Sequence, residues 1–237
     1  EALAKQLVQT VICDFRAQDV LLGGQGAPLV PIGDLLLFPD YNACLNLGGF
    51  ANGSMSKNGD VIAYDICAVN TVMNSLAEKK GMPFDTGGEL AKNGKFIPEL
   101  FSDLGALKFY KIDSPKSLGI EWVNSIIFPL LAKFNDHKVE NILHTYARHI
   151  SFEISRNFPE NQHVLVTGGG AKNLFLMSLL KTDCLATLFL PQEKLIDFKE
   201  ALIFGFLGVL RIRNEVNCLA SVTGASKDHS SGNIFYS

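Results

Sequence analysis

Several features that would place this chain in a special class are scarce or missing. Its 237 residues include five cysteines, no Cys-x-x-Cys pair, one tryptophan and a net charge of only −3. No run reaches 18 consecutive apolar residues, so a transmembrane helix is not predicted. The small net charge gives no indication of a nucleic-acid or acidic-polymer partner. These absences favour a globular protein of ordinary composition.

The five cysteines are widely separated and lie mostly in apolar stretches. An odd number of cysteines inside predicted strands indicates buried thiols rather than a disulfide framework, and therefore a reducing compartment. A chain of this length buries roughly 70–75% of the surface of its unfolded state, so it needs neither a disulfide nor a structural metal to fold. The cysteines are Cys13, Cys44, Cys67, Cys184 and Cys218.

The strongest pattern in the chain is a set of three apolar runs separated by turn residues. The first run, residues 43–47, ends at Gly48-Gly49, and the second reaches Asn58-Gly59. Asn-Gly between two strand-like runs indicates a hairpin, because both turn residues tolerate positive φ. The third run, residues 61–64, ends on Asp65. We therefore predict three antiparallel strands, with Asp65 at the end of the third.

A helix is predicted directly after these strands, over residues 68–80. Its apolar residues fall at helical spacing on one face, and Gly81 follows where a left-handed C-cap would end the helix. The apolar residues are Val69, Val72, Met73, Leu76 and Ala77. Paired glycines let a backbone approach a phosphate closely. Gly48 and Gly49 are therefore candidates for a phosphate contact, and Asp65 is a candidate for acting on the group that reacts with the phosphate.

Two further glycine-rich segments are candidates for ligand contacts. A predicted strand over residues 163–167 runs into Gly168-Gly169-Gly170 and then into a helix, the geometry in which backbone N–H groups meet an anion or a nucleotide. Residues 23–31 contain three glycines in four positions followed by two prolines, which excludes regular structure. This segment is either a connecting loop or a loop whose backbone packs against a ligand.

Two long helices are predicted in the C-terminal half. One covers residues 139–154 and carries His149, which we interpret as partly exposed. The other covers residues 198–212, and Asp197 with Glu200 resembles an N-terminal capping pair for it. The small, polar tail that follows is expected to be partly mobile.

The order of these elements is similar to one lobe of the actin/hexokinase-like ATPases. Closer motifs, which occur in the right order over nearly the whole chain, resemble the anhydro-N-acetylmuramic acid kinase family. They are Asp-Phe-Arg at 14–16, Gly-Gly-Gln-Gly-Ala-Pro-Leu-Val-Pro at 23–31, Leu-Asn-Leu-Gly-Gly-Phe-Ala-Asn at 45–52, Pro-Lys-Ser at 115–117, Gly-Gly-Gly-Ala-Lys-Asn at 168–173, Glu-Ala-Leu at 200–202 and Ser-Val-Thr-Gly-Ala at 221–225. The resemblance implies an α/β fold: a ribonuclease-H-like (actin-like ATPase) lobe with a mixed sheet flanked by helices.

The resemblance also implies an activity. The family opens the 1,6-anhydro ring of anhydro-N-acetylmuramic acid and phosphorylates its O6 with ATP and Mg²⁺, a step of peptidoglycan recycling in the bacterial cytoplasm. The resemblance therefore implies a cytoplasmic sugar kinase that acts on a small sugar and ATP. It also implies a homodimer and no nucleic-acid or membrane partner. It identifies no residue of this chain as a Mg²⁺ ligand. The implied roles are general base for Asp65, sugar binding for Arg16, Glu200, Gln25 and Asp19, and nucleotide binding for Gly48, Gly49, Asn52, Gly168, Gly169, Gly170 and Asn173.

Two departures from the family pattern leave alternatives open. The family usually follows its catalytic aspartate with Thr-Gly-Pro-Gly-Asn, whereas here Asp65 is followed by Ile-Cys-Ala-Val-Asn, and the family's Gly-Thr-Ser-x-Asp-Gly phosphate loop does not occur. We therefore expect residues 1–40 to be the end of a first lobe with an inter-lobe loop, residues 41–237 to be a second lobe, and the chain alone to be inactive. The alternatives are a non-catalytic sugar- or nucleotide-binding actin-like domain and an interaction domain without a ligand.

Overall fold

The computed structural model of the chain describes residues 1–57, 59–113 and 116–237. Asn58 of the predicted Asn58-Gly59 turn and Pro115 of the 115–117 motif lie outside the described residues. The chain contains both helices and strands, and the strands form two sheets. The α/β class predicted from the sequence is confirmed.

The secondary-structure elements are numbered in chain order. The α-helices are α1 (Ala2–Leu7), α2 (Ala17–Leu21), α3 (Pro31–Leu37), α4 (Asn70–Glu78), α5 (Glu89–Lys92), α6 (Pro98–Gly105), α7 (Ile120–Trp122), α8 (Phe128–Ala132), α9 (Val139–Ser155), α10 (Leu174–Asp183), α11 (Glu193–Ile212) and α12 (Ala220–Thr223). The strands are β1 (Val11–Cys13), β2 (Ala43–Leu47), β3 (Phe50–Lys57), β4 (Asp60–Ala68), β5 (His163–Thr167), β6 (Thr187–Phe189) and β7 (Asn233–Phe235). Short 3₁₀ segments cover Thr86–Gly88, Lys108–Lys111 and Gly169–Lys172, and a π-helical segment covers Val123–Ile127.

The larger sheet has five strands in the order β4-β3-β2-β5-β6. β2 pairs in parallel with β5, and β5 pairs in parallel with β6. The connections from β2 to β3 and from β3 to β4 are two residues long, which requires these neighbours to run antiparallel. The predicted mixed sheet, with three antiparallel strands before the parallel ones, is therefore confirmed.

A second, two-stranded sheet joins the two ends of the chain. β1 pairs with β7 in antiparallel orientation, with Val11 opposite Phe235 and Cys13 opposite Asn233. Backbone pairing orders these C-terminal residues, so the expectation of a partly mobile tail is wrong for them.

The chain divides into two compact units. The first consists of Glu1–Asp40, Ser54–Ala63 and Phe198–Ser237, and the second of Tyr41–Gly53 and Tyr64–Asp197. The core of the first unit packs residues that follow the glycine-rich loop, which we define as residues 23–26, against α11. This cluster contains Leu29, Ile32, Ile203, Leu207, Leu210 and Cys218. The assignment of residues 1–40 and 41–237 to two lobes of a larger enzyme stays a prediction.

α4 is the helix whose sequence prediction is most fully confirmed. The five apolar residues predicted for its inner face, from Val69 to Ala77, are all buried. Gly81 has φ +76°, its N–H donates to the Glu78 carbonyl (2.9 Å), and the Met82 N–H donates to the Ala77 carbonyl (3.2 Å). This pair of hydrogen bonds is a Schellman motif, which confirms the predicted C-cap.

Two predicted boundaries are wrong, and both affect candidate site residues. β4 continues to Ala68 because Ile66 and the two residues after it are buried, so Asp65 lies within the strand rather than at its end. α11 begins at Glu193, so Asp197 and Glu200 lie inside the helix. Neither side chain is at the helix terminus, and the capping interpretation of this pair is therefore wrong.

The cysteines form no disulfide. Cys44, Cys67 and Cys218 are buried as predicted, whereas Cys13 is exposed and Cys184 is half-buried. Within the described residues, no helix is long and apolar enough to cross a membrane.

His149 is fully buried in α9, so its interpretation as partly exposed is wrong. Its ring lies against the rings of Phe101, Tyr110 and Tyr146. Neither ring nitrogen has a hydrogen-bond partner among the described residues. Burial lowers the pKa of His149 from 6.5 to about 3, and the imidazole is neutral in the folded protein at neutral pH.

We predict that the free energy of unfolding decreases as the pH falls from 6.5 towards about 3. In this range the unfolded chain protonates His149 and the folded chain does not, and stability falls where the unfolded state binds more protons. The loss from this residue is about 2 kcal/mol at roughly pH 5. Urea unfolding across this range measures it. His149→Leu should flatten the slope, and His137→Gln, which changes an exposed histidine, should not. An unchanged slope in His149→Leu would exclude this residue as the cause.

Candidate functional site

The Gly48-Gly49 corner joins β2 to β3 and receives the start of α4. The Val69 N–H donates to the Gly49 carbonyl (2.8 Å), and the Asn70 N–H donates to the Gly48 carbonyl (3.3 Å). A Cβ on Gly49 would lie 2.6 Å from Thr71 Oγ1. The close approach of α4 thus requires glycine at position 49, whose backbone remains exposed.

The segment Gly168, Gly169 and Gly170 follows β5 and packs on the end of β2. Gly168 has φ +85°, and a Cβ there would lie 2.5 Å from Asn46 Oδ1. A Cβ on Gly170 would lie 2.8 Å from Leu47 Cβ. Gly169 differs, because it is exposed and the nearest atom to its Cβ position is Asn70 Nδ2, at 3.8 Å. Two of the glycines are required by packing, and Gly169 is the one that a ligand can approach.

Asn70 connects the two glycine segments, a role that sequence reasoning did not assign to it. Its Nδ2 donates to the Leu47 carbonyl (3.1 Å) and lies 3.5 Å from the Cβ position of Gly170. Its backbone N–H is bound to Gly48, as described above. The sequence signal that could have identified Asn70 is its place as the asparagine that ends the family's Thr-Gly-Pro-Gly-Asn motif.

Asn173 is the N-cap residue of α10. Its Oδ1 accepts a hydrogen bond from the Leu176 N–H (2.9 Å), and the side chain is buried against Gly88, where a Cβ would lie 2.1 Å from the same oxygen. The buried side chain therefore fixes where α10 starts behind the Gly168–Gly169–Gly170 segment. Asn52, the other predicted nucleotide contact outside the glycines, is half-buried on β3.

Asp65 lies on β4, four residues before Val69. At about 3.3 Å per strand residue, this places its Cα roughly 13 Å along the chain from the contact with the glycine corner. Its Oδ2 accepts hydrogen bonds from the Leu118 N–H (2.7 Å) and from Ser117 Oγ (3.1 Å). Burial raises the pKa of Asp65, and these two hydrogen bonds partly oppose the rise. The result is a half-buried carboxylate of increased basicity.

In the first unit, Asp19 organises the glycine-rich loop. The carboxylate is fully buried, with Oδ2 accepting from the Gly26 N–H (2.7 Å) and Oδ1 accepting from Thr223 Oγ1 (2.7 Å) and from the Cys218 thiol (3.1 Å). Burial alone would raise the pKa of Asp19, but these hydrogen bonds and His229 lower it below its usual value. A Cβ on Gly24 would lie 2.2 Å from Oδ2, so no side chain fits at position 24 while Asp19 keeps this position. Asp19 therefore holds the loop from inside.

The other predicted sugar contacts are on the surface of the first unit. The exposed Arg16 donates from its guanidinium to the Gly26 carbonyl, so the loop is held from outside as well. Gln25 is exposed and its backbone N–H donates to the Thr223 carbonyl (3.0 Å). Glu200 is exposed on α11. The structure thus brings Arg16, Asp19 and Gln25 together through one loop.

Sequence reasoning did not identify the partners of Asp19 near the C-terminus. Cys218, Thr223 and His229 are all buried beside it. Burial and the nearby Asp19 raise the pKa of Cys218 to about 12, so the group that donates to Asp19 is a neutral thiol. The recognisable signal was the Ser-Val-Thr-Gly-Ala block that contains Thr223.

Comparison with known proteins gives a consistent set of similar sequences. The family profile described as anhydro-N-acetylmuramic acid kinase matches residues 1–237. The chain is 34% identical over 246 residues to the anhydro-N-acetylmuramic acid kinase of Pasteurella multocida, covering 95% of this chain and 64% of that protein. It is 30% identical over 255 residues to a protein of that name from Bacillus cereus, covering 99% and 67% respectively. The chain therefore spans about two thirds of the length of these relatives.

Similarity to solved structures is weaker. Component A of the (R)-2-hydroxyglutaryl-CoA dehydratase of Acidaminococcus fermentans aligns with a TM-score of 0.47 and 16% identity, covering 73% of this chain and 63% of that chain. The activator of the 2-hydroxyisocaproyl-CoA dehydratase from Clostridium difficile aligns with a TM-score of 0.46 and 15% identity, covering 76% and 65%.

Proposed function

Since the chain belongs to the anhydro-N-acetylmuramic acid kinase family, we propose that the protein containing it uses ATP to convert anhydro-N-acetylmuramic acid into N-acetylmuramic acid 6-phosphate. This sugar kinase activity would belong to peptidoglycan recycling in the cytoplasm. In the second unit, the observation that carries the proposal is the convergence of Gly48-Gly49 and the segment around Gly169 at Asn70. Gly49 and Gly169 are exposed, and a glycine lets a nucleotide approach the main chain closely.

The nucleotide contacts are proposed from this arrangement. Gly48 and Gly49 would face the phosphates, with Asn52 nearby on the same hairpin. Gly169 is the part of the second segment that is open enough to contact the adenosine. Gly168, Gly170 and Asn173 would act indirectly, because their tight packing fixes the backbone on which Gly169 is held.

Asp65 is proposed as the general base. Its carboxylate would take a proton from water as the water oxygen bonds to C1 of the sugar and the C1–O6 bond breaks. The released O6 then bonds to the γ-phosphorus of ATP, and ADP leaves. A raised pKa suits this role, since a base works best when its pKa approaches the working pH. Arg16, Gln25 and Glu200 are proposed as sugar contacts, and the buried Asp19 as the residue that positions the loop that carries Gln25 and accepts the hydrogen bond from Arg16.

Mg²⁺ is proposed as the metal of the reaction, but the side chains of residues 1–57, 59–113 and 116–237 do not form a recognisable site for it. Kinases hold Mg²⁺ through substrate phosphates and one or two carboxylates. Within the described residues, the side chains that group as metal ligands are Asp19, Cys218 and His229. A thiol and an imidazole do not suit a hard cation. We therefore assign no Mg²⁺ ligand here.

The activity is tested by incubating the protein that contains this chain with ATP, Mg²⁺ and anhydro-N-acetylmuramic acid. Mass spectrometry should detect N-acetylmuramic acid 6-phosphate, and a coupled assay should detect ADP in equal amount. Omission of the sugar should abolish ADP release beyond background. ADP release without the phosphorylated sugar would contradict the proposed substrate.

Gly169→Asp should weaken ATP binding by about tenfold or more, which is about 1.4 kcal/mol, because the new side chain would occupy the open space at which the adenosine is proposed to contact the backbone. Isothermal titration with ATP measures the change. Gly205→Asp is the matched control, since Gly205 is also exposed and its Cβ position has no atom within 4 Å. Equal affinities of the two variants would exclude Gly169 as a nucleotide contact.

A non-catalytic sugar- or nucleotide-binding protein is the second candidate function. It is favoured by one observation: Ile66 and Cys67 are buried in β4, where the family usually has Thr-Gly in a loop. Burial, together with Glu153 and Asp65, raises the pKa of Cys67 well above its usual value, so this thiol offers no nucleophile instead. Nucleotide binding without any phosphorylated product would support this alternative.

Homodimer formation also stays a prediction, which analytical ultracentrifugation tests.

A further inference from the structure

A compact cluster of metal-ligating side chains lies in the first unit and has no part in the proposed phosphoryl transfer. Asp19, Cys218 and His229 are buried, and their ligand atoms all lie within 4.8 Å of one another. The separation from Asp19 Oδ1 is 3.1 Å to Cys218 Sγ and 3.6 Å to His229 Nε2. In a tetrahedral zinc site, ligand atoms of these types are about 3.3–3.6 Å apart. These two separations are therefore close to those of a coordinated metal.

The backbone holds these residues in register. Cys218 and His229 are directly opposed in an isolated antiparallel bridge, in which each N–H donates to the carbonyl of the other at 3.1 Å. Asp19 reaches the same point from α2 and is fixed by the Gly26 N–H on its other oxygen. Backbone hydrogen bonds thus fix the position of all three ligands.

The orientation of His229 points to a ligand. Its Nδ1 lies 3.1 Å from the Lys227 carbonyl, so Nδ1 carries the proton and donates it. Nε2 is buried without a hydrogen-bond partner among the described residues. It faces Asp19 Oδ1 at 3.6 Å. Metal-ligating histidines usually donate the N–H of their other ring nitrogen to a backbone carbonyl or a carboxylate, as Nδ1 of His229 does to the Lys227 carbonyl.

We propose that Asp19, Cys218 and His229 bind a structural Zn²⁺ ion that ties the glycine-rich loop of residues 23–26 to the C-terminal segment. One carboxylate, one imidazole and one thiolate form a donor set that suits Zn²⁺ and not Mg²⁺ or Ca²⁺. On binding, the metal takes the place of the Cys218 thiol proton, which is released to solvent. The fourth ligand would be water or the Thr223 hydroxyl, which already lies 2.7 Å from Asp19 Oδ1.

The test measures Zn²⁺ binding to the 237-residue chain in a Cys13→Ser background, which removes the exposed thiol. After incubation with Zn²⁺ and dialysis, elemental analysis should find about one zinc per chain. Competition with a chromophoric chelator should show that Cys218→Ser and His229→Gln each weaken binding by about 10²-fold or more. With Co²⁺, a thiolate-to-cobalt charge-transfer band should appear and should be missing in Cys218→Ser.

Cys184→Ser and His163→Gln are matched controls, because they remove a half-buried thiol and an exposed imidazole outside the cluster. Both should bind Zn²⁺ as the parent does. Circular dichroism without metal checks that the variants fold, and His229→Gln decides the result if Cys218→Ser does not fold. The proposal is overturned if the parent loses zinc on dialysis, or if the parent and His229→Gln hold zinc equally, and the three side chains are then a buried polar cluster without a metal. The result does not depend on kinase activity.

Discussion

Asp65→Asn is expected to lower the turnover of the protein that contains this chain by about 10²-fold or more, the scale of a positioned general base. The amide cannot accept the proton of the attacking water. Its oxygen can still accept the hydrogen bond from the Leu118 N–H, so the local structure should persist. Initial rates of N-acetylmuramic acid 6-phosphate formation at saturating ATP measure the effect, and the KM for ATP should change little.

The pH profile provides a second readout for Asp65. Burial raises its pKa above 3.8, and the base must be deprotonated to act. Activity should therefore be lost as the pH falls through this raised value, and Asp65→Asn should lack that acid limb. A raised pKa also means that folding disfavours the charged form. Asp65→Asn should consequently not lower the free energy of unfolding at neutral pH.

The matched control for this substitution is Asp60→Asn on the same strand, where the carboxylate is exposed. It should keep near-normal turnover and the acid limb. Near-normal ring opening in Asp65→Asn would exclude Asp65 as the base. Because both oxygens of Asp19 are buried and hydrogen-bonded, Asp19 could replace it only after the glycine-rich loop opened.

The parts of the fold that could be predicted from sequence are those set by local patterns. β2, β3 and β4 are bounded by glycine turns, and α4 carries a helical apolar face and a C-terminal glycine, so each could be identified from residues close together in the chain. The buried run Ile66, Cys67 and Ala68 is consistent with a strand end or a helix start. Periodicity over three residues cannot decide between these, and the boundary at Asp65 was wrong for this reason.

The candidate site was less predictable because its contacts join distant positions. The hydrogen bond from Thr223 to Asp19 spans 204 residues, and no local pattern indicates it. Family motifs named residues on both sides of this contact but not its geometry. They also could not show that Asp19 is buried while Arg16 and Gln25 are exposed. The burial of His149 likewise depends on rings supplied by other helices.

The ion pair next to Glu200 gives the largest expected effect on stability. Lys199 Nζ lies 2.6 Å from Asp34 Oδ1, and the two side chains are only 7% and 10% exposed. The second carboxylate oxygen accepts a hydrogen bond from Ser54 Oγ (2.5 Å), which joins α3, β3 and α11 within the first unit. Lys199→Met should lower the free energy of unfolding by about 3–5 kcal/mol, because it leaves a buried carboxylate without its counter-charge.

Two further variants separate the free-energy cost of a buried charge without a partner from the free energy that the ion pair contributes. Asp34→Leu combined with Lys199→Met replaces both charges by apolar groups and should recover most of the loss. Lys172→Met removes another 2.6 Å contact, to Asp197 on the same helix as Lys199, but those side chains are 44% and 38% exposed. Solvent screens such a pair, so urea unfolding should resolve little change in that variant. If Lys199→Met and Lys172→Met lowered the free energy of unfolding equally, the prediction would be wrong. The two contacts have the same length and differ in burial, and the prediction attributes the difference in stability to burial.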